Sequence, residues 1–343
     1  MSAFRRLRPV VDGPWWVIGP SPDLSAAVDG DAEHRLAFEK HHTNEHNAPV
    51  DHHILRDSEG IYHLWGCVRS TAVGRILYHW TTDDLTASPW TDTGEFIRAD
   101  RGSGESIDDW FGQEWLQSPY FVHHEGTYYM FYGAHRAGID AAGRAAAPVE
   151  TDGSRVGEDG SLFQICLMTS PDGRSWRRHR NPDGTSRLFL GPGETRDPCV
   201  LRIGDTWHMY YAGYFDHENP DAGAGFLVRT STDLLSWSDW RLVHRDPSYG
   251  AGRWDTECPF VIEKEGYFYL FRTADYYRGE TFVFRSDDPF DFGITDAADN
   301  FVCRIPCAAP ELYEFDGREY ISSSHSPHVG EMMCRLRWVE DEE

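Results

Sequence analysis

The chain has little positive charge. It carries 32 Lys and Arg against 56 Asp and Glu, a formal net charge of −24. Proteins that bind nucleic acid or anionic membrane surfaces do so mainly through clustered Lys and Arg, and no such cluster stands out. The composition therefore disfavours nucleic acid, membrane surfaces and acidic polysaccharides as partners.

Long apolar runs and paired cysteines are also missing. No stretch approaches the roughly 20 apolar residues that span a bilayer. The start, MSAFRRLRPVVDGPWW, has a basic flank but lacks the apolar run of roughly 7–15 residues that a secretory signal needs. The seven cysteines are odd in number and mostly lie in apolar runs, without metal-finger spacing. We expect reduced core thiols in a cytoplasmic protein.

Aromatic residues, glycine and proline are plentiful. The 13 Trp, 16 Tyr and 19 Phe, with 32 Gly and 19 Pro, favour many short strands and tight turns over long helices. Aromatic faces also suit a sugar binder. At roughly 150 residues per domain, the length of 343 residues would suggest about two domains, but large β architectures can form one domain of this size.

Five segments repeat one pattern. It begins with a small or polar residue, usually followed by a proline, and continues with an apolar run, a turn that contains glycine and an aromatic-rich strand. Each segment predicts a β-hairpin, because glycine readily adopts the φ > 0 that a hairpin turn needs. The hairpins start near residues 51, 117, 196, 257 and 309, and their turn glycines are Gly60, Gly126, Gly204, Gly266 and Gly317.

A third apolar strand and a polar turn follow four of the five hairpins. These turns hold Asp84, Asp172, Asp233 and Asp288. Repeats of about four strands are typical of β-propeller blades, whereas a β-sandwich would not keep the same internal order. We predict an all-β chain that forms a single five-bladed β-propeller over residues 1–343. The segment at 14–19 should close the last blade, and the Ala-, Gly- and charge-rich segment 134–161 should be a surface loop.

Three carboxylates lie near the starts of these hairpins. Asp51 and Glu257 each lie nine residues before the turn glycine, and Asp197 lies seven before it. The first strand of every propeller blade lines the central channel, so these acids should converge. Glycosidic cleavage uses a protonated acid together with an ionised carboxylate. The alternative is that the acids cap turns or pair with arginine.

The motifs RDP at 196–198 and ECP at 257–259 resemble two signatures of glycoside hydrolase family 32, the β-fructofuranosidases. The first-blade motif of that family is altered here: Asp51 and the YHL of 62–64 are kept, but His52, His53 and Ile54 replace Pro-Asn-Gly. The resemblance implies a five-bladed propeller, with Asp51 as nucleophile, Glu257 as acid/base and Asp197 as the residue that holds the sugar hydroxyls at the transition state.

The related family 43, of arabinofuranosidases, xylosidases and arabinanases, places an Asp base, an Asp pKa modulator and a Glu acid on the same blades and inverts. The function expected from either family is hydrolysis of a furanoside, fructofuranoside-like or arabinofuranoside-like. An inverting arabinofuranosidase or xylosidase and a non-catalytic carbohydrate-binding propeller stay open as alternatives. The substrate should be a small oligosaccharide or glycoside, and a homo-oligomer is left open.

Further substrate contacts are expected from six residues that lie beside the acids or carry rings and polar groups suited to sugars. They are His52, Trp65, Trp115, Gln117, Arg196 and His325. The histidines at 41, 42, 46, 52 and 53 have loop neighbours rather than a helical spacing, so no metal site is predicted. We expect no cofactor to be required, and a structural cation in the channel stays open.

Overall fold

A computed structural model describes residues 5–22, 24, 48–71, 73–105, 114–136, 163–193, 195–214, 223–250, 252, 254–325 and 329–341. This part of the chain contains 22 strands, two short 3₁₀ helices and no α-helix. The predicted all-β class is confirmed. No helix among these residues is long and apolar enough to cross a membrane.

The strands follow the predicted repeats along the chain. They are β1 Leu7–Val11, β2 Trp16–Pro20, β3 Ala48–Arg56, β4 Tyr62–Thr71, β5 Gly74–Thr82, β6 Thr91–Ile97, β7 Glu114–His124, β8 Thr127–His135, β9 Phe163–Ser170, β10 Arg177–Arg178, β11 Arg187–Leu190, β12 Arg196–Ile203, β13 Thr206–Tyr214, β14 Ala224–Ser231, β15 Arg241–His244, β16 Glu257–Lys264, β17 Tyr267–Asp275, β18 Glu280–Ser286, β19 Phe301–Ile305, β20 Leu312–Phe315, β21 Arg318–Ser323 and β22 Gly330–Glu340. The 3₁₀ helices are Arg101–Ser103 and Pro247–Tyr249.

The chain forms two compact units. The N-terminal unit contains residues 19–196 and 327–330, and the C-terminal unit contains residues 1–18, 197–326 and 331–343. The N-terminal unit has a nine-stranded sheet in the order β10-β9-β8-β7-β5-β4-β3, with β6 on β5 and β11 on β9. Its two antiparallel halves are joined by a parallel pairing of β5 with β7.

The C-terminal unit has three sheets. Two contain four consecutive strands each, β12-β13-β14-β15 and β16-β17-β18-β19. The third has the order β1-β22-β21-β20, and β2 also pairs with β22. The segment predicted to complete the last repeat, 14–19, thus overlaps β2, but the prediction missed β1, which pairs antiparallel with β22. The predicted loop 134–161 lies outside the described residues except for 134–136.

All five predicted hairpins are present. Three of them turn through two residues that both have positive φ, Glu125-Gly126, Glu265-Gly266 and Asp316-Gly317. This is the geometry of a type I′ turn, whose twist matches that of the flanking strands. The four predicted polar turns are also alike, because each aspartate side chain accepts a hydrogen bond from the backbone N–H two residues later.

Aromatic side chains from the second strands of the hairpins form much of the core. The largest fully buried side chains include Trp65, Tyr132, Tyr210, Tyr269 and Tyr320. Burying such a ring removes a large apolar area from water and so contributes strongly to stability. The seven cysteines all lie in the described residues and form no disulfide there, and five of them are buried, as predicted.

A buried charge network anchors the turn of the first hairpin in the N-terminal unit. The carboxylate of Asp57 accepts hydrogen bonds from Arg174 Nε at 2.6 Å and from two backbone N–H groups of its own turn, and it lies 3.0 Å from His63 Nε2. His63 Nδ1 in turn lies 2.9 Å from His79 Nε2. Burial raises the pKa of Asp57, but these hydrogen bonds outweigh burial and lower it to about 2. We call Asp57, His63, His79 and Arg174 the Asp57 network.

Candidate functional site

One backbone feature marks the start of every hairpin. In each of the first four hairpins one residue of the first strand has φ between 47° and 59°, and in the fifth hairpin the residue three positions before β20 does. This is the left-handed region, although none of these residues is glycine. Such a conformation is unfavourable for these residues and is uncommon outside glycine. The five residues that occupy this position are Asp51, Ser118, Asp197, Cys258 and Ala309.

This position corrects the predicted register of the three acids. Asp51 and Asp197 are equivalent, as expected, but their counterpart in the fourth hairpin is Cys258, and Glu257 precedes it by one residue. Counting back from the turn glycines misaligned Glu257 because the first hairpin has a longer turn, Asp57–Ile61, than the two-residue turn of the fourth. The proline that follows Ser118, Asp197, Cys258 and Ala309 is the sequence signal that would have aligned them.

In the C-terminal unit, Asp197 and the ECP strand are directly bonded. The backbone N–H of Cys258 donates to Asp197 Oδ2 at 3.0 Å. Further along the same two strands, the N–H of Val261 donates to Cys199 Sγ at 3.3 Å. Asp197 is buried, whereas Glu257 is half-buried and pairs with Thr273 on β17. The fold therefore holds the Asp197 carboxylate against the backbone of Cys258, the residue directly after Glu257.

Two further polar side chains belong to the C-terminal unit, and the first of them contacts the ECP strand. Tyr276 Oη lies 2.7 Å from Cys258 Sγ. His325 is half-buried, with Nδ1 2.7 Å from Ser323 Oγ and its ring 4.9 Å from the ring of Trp15. Burial lowers the pKa of His325, which favours the neutral imidazole near neutral pH.

In the N-terminal unit, Asp51 and His52 are both buried at the start of the first hairpin. The neighbouring His53 packs its ring 4.1 Å from that of Tyr120, and burial lowers its pKa to about 3. His53 is therefore a neutral packing residue. His41, His42 and His46, named with these two in the sequence analysis, lie outside the described residues.

The two tryptophans predicted to contact sugar differ in their surroundings. Trp65 is 1% exposed and its indole stacks on His79, a placement that favours core packing over sugar stacking. Trp115 is also buried, with the Arg75 guanidinium 3.7 Å from its ring centre. Trp115 Nε1 and Arg75 Nη1 both donate to Gln117 Oε1. Gln117 is thus held in one orientation by two donors.

Arg196 is the last residue of the range 19–196 in the N-terminal unit and is buried. Asp197, the next residue in the chain, is also buried. The structure places Asp197, Glu257 and His325 in the C-terminal unit. It places Asp51, His52, Trp65, Trp115, Gln117 and Arg196 in the N-terminal unit. The roles of these residues toward a substrate stay predictions.

Sequence comparison identifies relatives, although no protein-family model matches the chain. A probable arabinan endo-1,5-alpha-L-arabinosidase C of Aspergillus clavatus is 26% identical over 215 residues, which make up 63% of this chain and 55% of that protein. The chain spans about half the length of the curated relatives it matches.

Structure comparison gives broader coverage. A thermostable family-43 glycoside hydrolase aligns with a TM-score of 0.58 at 17% identity, covering 87% of this chain and 91% of that one. A Bombyx mori GH32 β-fructofuranosidase aligns with a TM-score of 0.55 at 15% identity, covering 85% of this chain and 62% of that one. The resemblance to the superfamily of families 32 and 43 is therefore confirmed, at the level of the fold.

Proposed function

We propose that the chain is a glycoside hydrolase of the family 43 type that cleaves arabinofuranosyl linkages. The observation that carries this proposal is the bond between Cys258 N–H and Asp197 Oδ2, which keeps a buried carboxylate beside Glu257 on strands that bear the RDP and ECP motifs. The named sequence relatives support arabinan as the substrate class.

The proposed architecture is a single domain of five blades. The strands β3–β6, β7–β11, β12–β15, β16–β19 and β20–β22 with β1 and β2 supply one blade each. This arrangement is supported by the likeness to family 43 and family 32 structures over more than four fifths of the chain. In such a ring the starts of the first strands face a common channel, where the three acids would act together.

In the proposed mechanism, Glu257 is the general acid that protonates the leaving oxygen. Asp51 is the base that activates water in an inverting reaction, or the nucleophile if the enzyme retains configuration. Asp197 assists, either by raising the pKa of Glu257 through its negative charge or by holding sugar hydroxyls. His52, Gln117, Arg196, His325 and Trp115 are proposed to bind the substrate.

Several remaining proposals concern the setting of the reaction. The substrate is a short oligosaccharide or glycoside, the location is cytoplasmic, and no cofactor is needed for turnover. A structural cation remains compatible with this proposal. Activity that survives a chelator such as EDTA would support cofactor independence, and activity lost with EDTA and restored by one divalent cation would contradict it.

The test is a panel of aryl glycosides and polysaccharides assayed with the purified protein. We expect turnover of an aryl α-L-arabinofuranoside or of a linear 1,5-arabino-oligosaccharide, and a loss of about 10³-fold in kcat when Glu257→Gln removes the acid. Glu263→Gln, an exposed glutamate of the same strand, is the matched control and should leave kcat unchanged. Equal activity of Glu257→Gln and the wild type would overturn the proposal.

A β-fructofuranosidase is the second candidate, because the RDP and ECP motifs and the Bombyx mori structure favour it. Sucrose and inulin in the same panel separate the two candidates. Proton NMR of the first-formed anomer distinguishes inversion, expected for the family 43 type, from retention.

A further inference from the structure

A single buried arginine holds the stretch of chain that leads into Glu257. Arg272 lies on β17 in the C-terminal unit, and only 1% of its surface is exposed. A guanidinium group has five N–H donors in a rigid plane. All five are used. The acceptors are the carbonyl oxygens of Asp246, Gly250 and Asp255, the hydroxyl of Thr256 and Nε2 of His244.

These acceptors share one feature, since four of the five belong to residues 246–256, directly before Glu257. Arg272 Nε donates to the Asp255 carbonyl at 3.0 Å, and Nη2 donates to Thr256 Oγ1 at 3.0 Å. Thr256 is the residue before Glu257, and Glu257 pairs across the sheet with Thr273, the residue after Arg272. The chain at Glu257 is thus held to β17 by two kinds of contact, the hydrogen bonds of Arg272 to the two preceding residues and the strand pairing with Thr273.

The fifth acceptor, His244, is locked in one protonation state. Arginine can only donate, so the contact of 3.2 Å requires an unprotonated Nε2 on His244. The other ring nitrogen, Nδ1, then carries the hydrogen and donates to the carbonyl of Phe292 at 2.9 Å. Burial and the nearby Arg272 lower the pKa of His244 to about 3, which agrees with this neutral tautomer.

Arg272 itself stays charged during turnover. Burial lowers its pKa to about 10, with the charges of Asp255 and Asp246 acting in the opposite direction. We call Arg272, His244 and the acceptors in 246–256 the Arg272 network. Its hydrogen bonds go to neutral groups, most of them backbone carbonyls, so its geometric effect falls on the path of the chain before Glu257.

We propose that Arg272 is a positioning residue, which fixes the backbone before Glu257 and so directs the carboxyl group of Glu257 toward the leaving oxygen. This inference rests on the proposed function, in which Glu257 is the general acid. A displaced acid weakens protonation of the leaving group, while the binding of the sugar ring is little affected. Displacements of about 1 Å can lower rates by about 100-fold.

The test compares two leaving groups in Arg272→Lys, which keeps the charge but loses the planar donor set. A dinitrophenyl glycoside needs little acid assistance, whereas an oligosaccharide or an unsubstituted phenyl glycoside needs it fully. We expect kcat to fall about 30- to 100-fold for the poor leaving group, to fall less than about threefold for dinitrophenolate, and KM to change less than about twofold. In combination with Glu257→Gln, the substitution should cost little more, because both act through one group.

Arg229→Lys is the matched control. Arg229 is a buried arginine of β14 in the same unit, and it donates to Tyr211 Oη and to the carbonyl of Ser238. Its replacement should affect both substrates equally and weakly. Equal losses on both leaving groups in Arg272→Lys, as expected of a purely structural residue, would overturn the proposal.

A second variant and a second readout keep the inference independent of folding yield and of the proposed reaction. Thr256→Val removes one acceptor and should give the same leaving-group pattern with a smaller loss. Hydrogen exchange of the amides from 254 to 260 should accelerate in Arg272→Lys and not in Arg229→Lys. Unchanged exchange would refute the positioning role even if no glycoside is cleaved, whereas accelerated exchange without any turnover would refute the proposed function alone.

Discussion

The two buried charge networks differ in what their charged groups meet. In the Asp57 network a carboxylate with 1% of its side chain exposed meets a guanidinium and an imidazole, at the turn of the first hairpin. In the Arg272 network a guanidinium meets neutral oxygen and nitrogen acceptors, near the start of the fourth hairpin. In the Asp57 network one charged group is stabilised by another charged group. In the Arg272 network a charged group fixes the position of the backbone through hydrogen bonds to it.

This difference has separate consequences for stability and for activity. Removing the buried Asp57 carboxylate leaves His63 and two backbone N–H groups of the turn without their acceptor, so the Asp57 network should respond strongly to mutation and to pH. The Arg272 network holds the segment 246–256 beside the half-buried Glu257. Conservative changes in this network should therefore lower the turnover rate while leaving the pH dependence of stability nearly unchanged. Three predictions examine this contrast, and a fourth concerns the strained backbone before the fifth hairpin.

The largest effect on stability is expected from Asp57→Ala. The substitution removes the acceptor of Arg174 and of two backbone N–H groups and strands His63, so the free energy of unfolding should fall by about 3–4 kcal/mol. Urea unfolding measures this. Glu59→Ala is the control, because Glu59 bonds the same arginine but is 70% exposed, and it should cost about 0.5 kcal/mol or less. Equal losses in the two variants would contradict the ascribed role of burial.

The same residue should give a pH signature. The pKa of Asp57 is lower in the folded chain, about 2, than its ordinary value of 3.8. Its stabilisation is therefore fully present above the ordinary value and is lost as the pH falls through about 2, by about 2 kcal/mol. Unfolding curves of the wild type and Asp57→Asn should converge between pH 5 and pH 2. Parallel curves over that range would argue against the shift.

Gly250→Ala in the Arg272 network should lower stability less than Asp57→Ala does. Gly250 has φ of +110°, and a Cβ there would lie 2.4 Å from Asp255 Cβ. Gly13 has a similar φ of +117° but has nothing within 4 Å of a built Cβ. Gly13→Ala should therefore cost about 1 kcal/mol from backbone strain, and Gly250→Ala about 2–3 kcal/mol, because it also displaces Asp255. Thermal unfolding of both variants measures the difference between the two losses of stability. Equal losses would show that backbone strain alone, and not the contact with Asp255, determines the cost.

The smallest effect concerns the left-handed position of the fifth hairpin. Ala309 has φ of 47°, whereas its neighbour Ala308 does not have positive φ, and both are buried. Ala309→Gly relieves strain and should be neutral or stabilising by up to about 1 kcal/mol, while Ala308→Gly should destabilise by a similar amount. Destabilisation of equal size at both positions would show that the conformation carries no strain.

The local sequence pattern was enough to predict the five hairpins but not to align their first strands with one another. The turn glycines and the aromatic strands that follow them mark all five hairpins, because these residues act within a few positions of the chain. The alignment of Glu257 with Asp51 and Asp197 failed, since the longer turn at Asp57–Ile61 changes the number of residues counted back from the turn glycine. Trp65 was expected to face a sugar, but its stacking on His79 depends on a strand contact that its own segment does not specify.

The sequence by itself determined the all-β class, the five hairpins, the polar turns and the identity of the candidate acids, because backbone preferences and residue chemistry are local. Only the tertiary structure decided that Cys258 rather than Glu257 is the counterpart of Asp197, and that Arg272 holds the stretch before Glu257. These features arise where segments distant in sequence exchange hydrogen bonds. Arg272 and Gly250 are 22 residues apart, and Cys258 and Asp197 are 61 apart. Their geometry depends on the packing of whole strands.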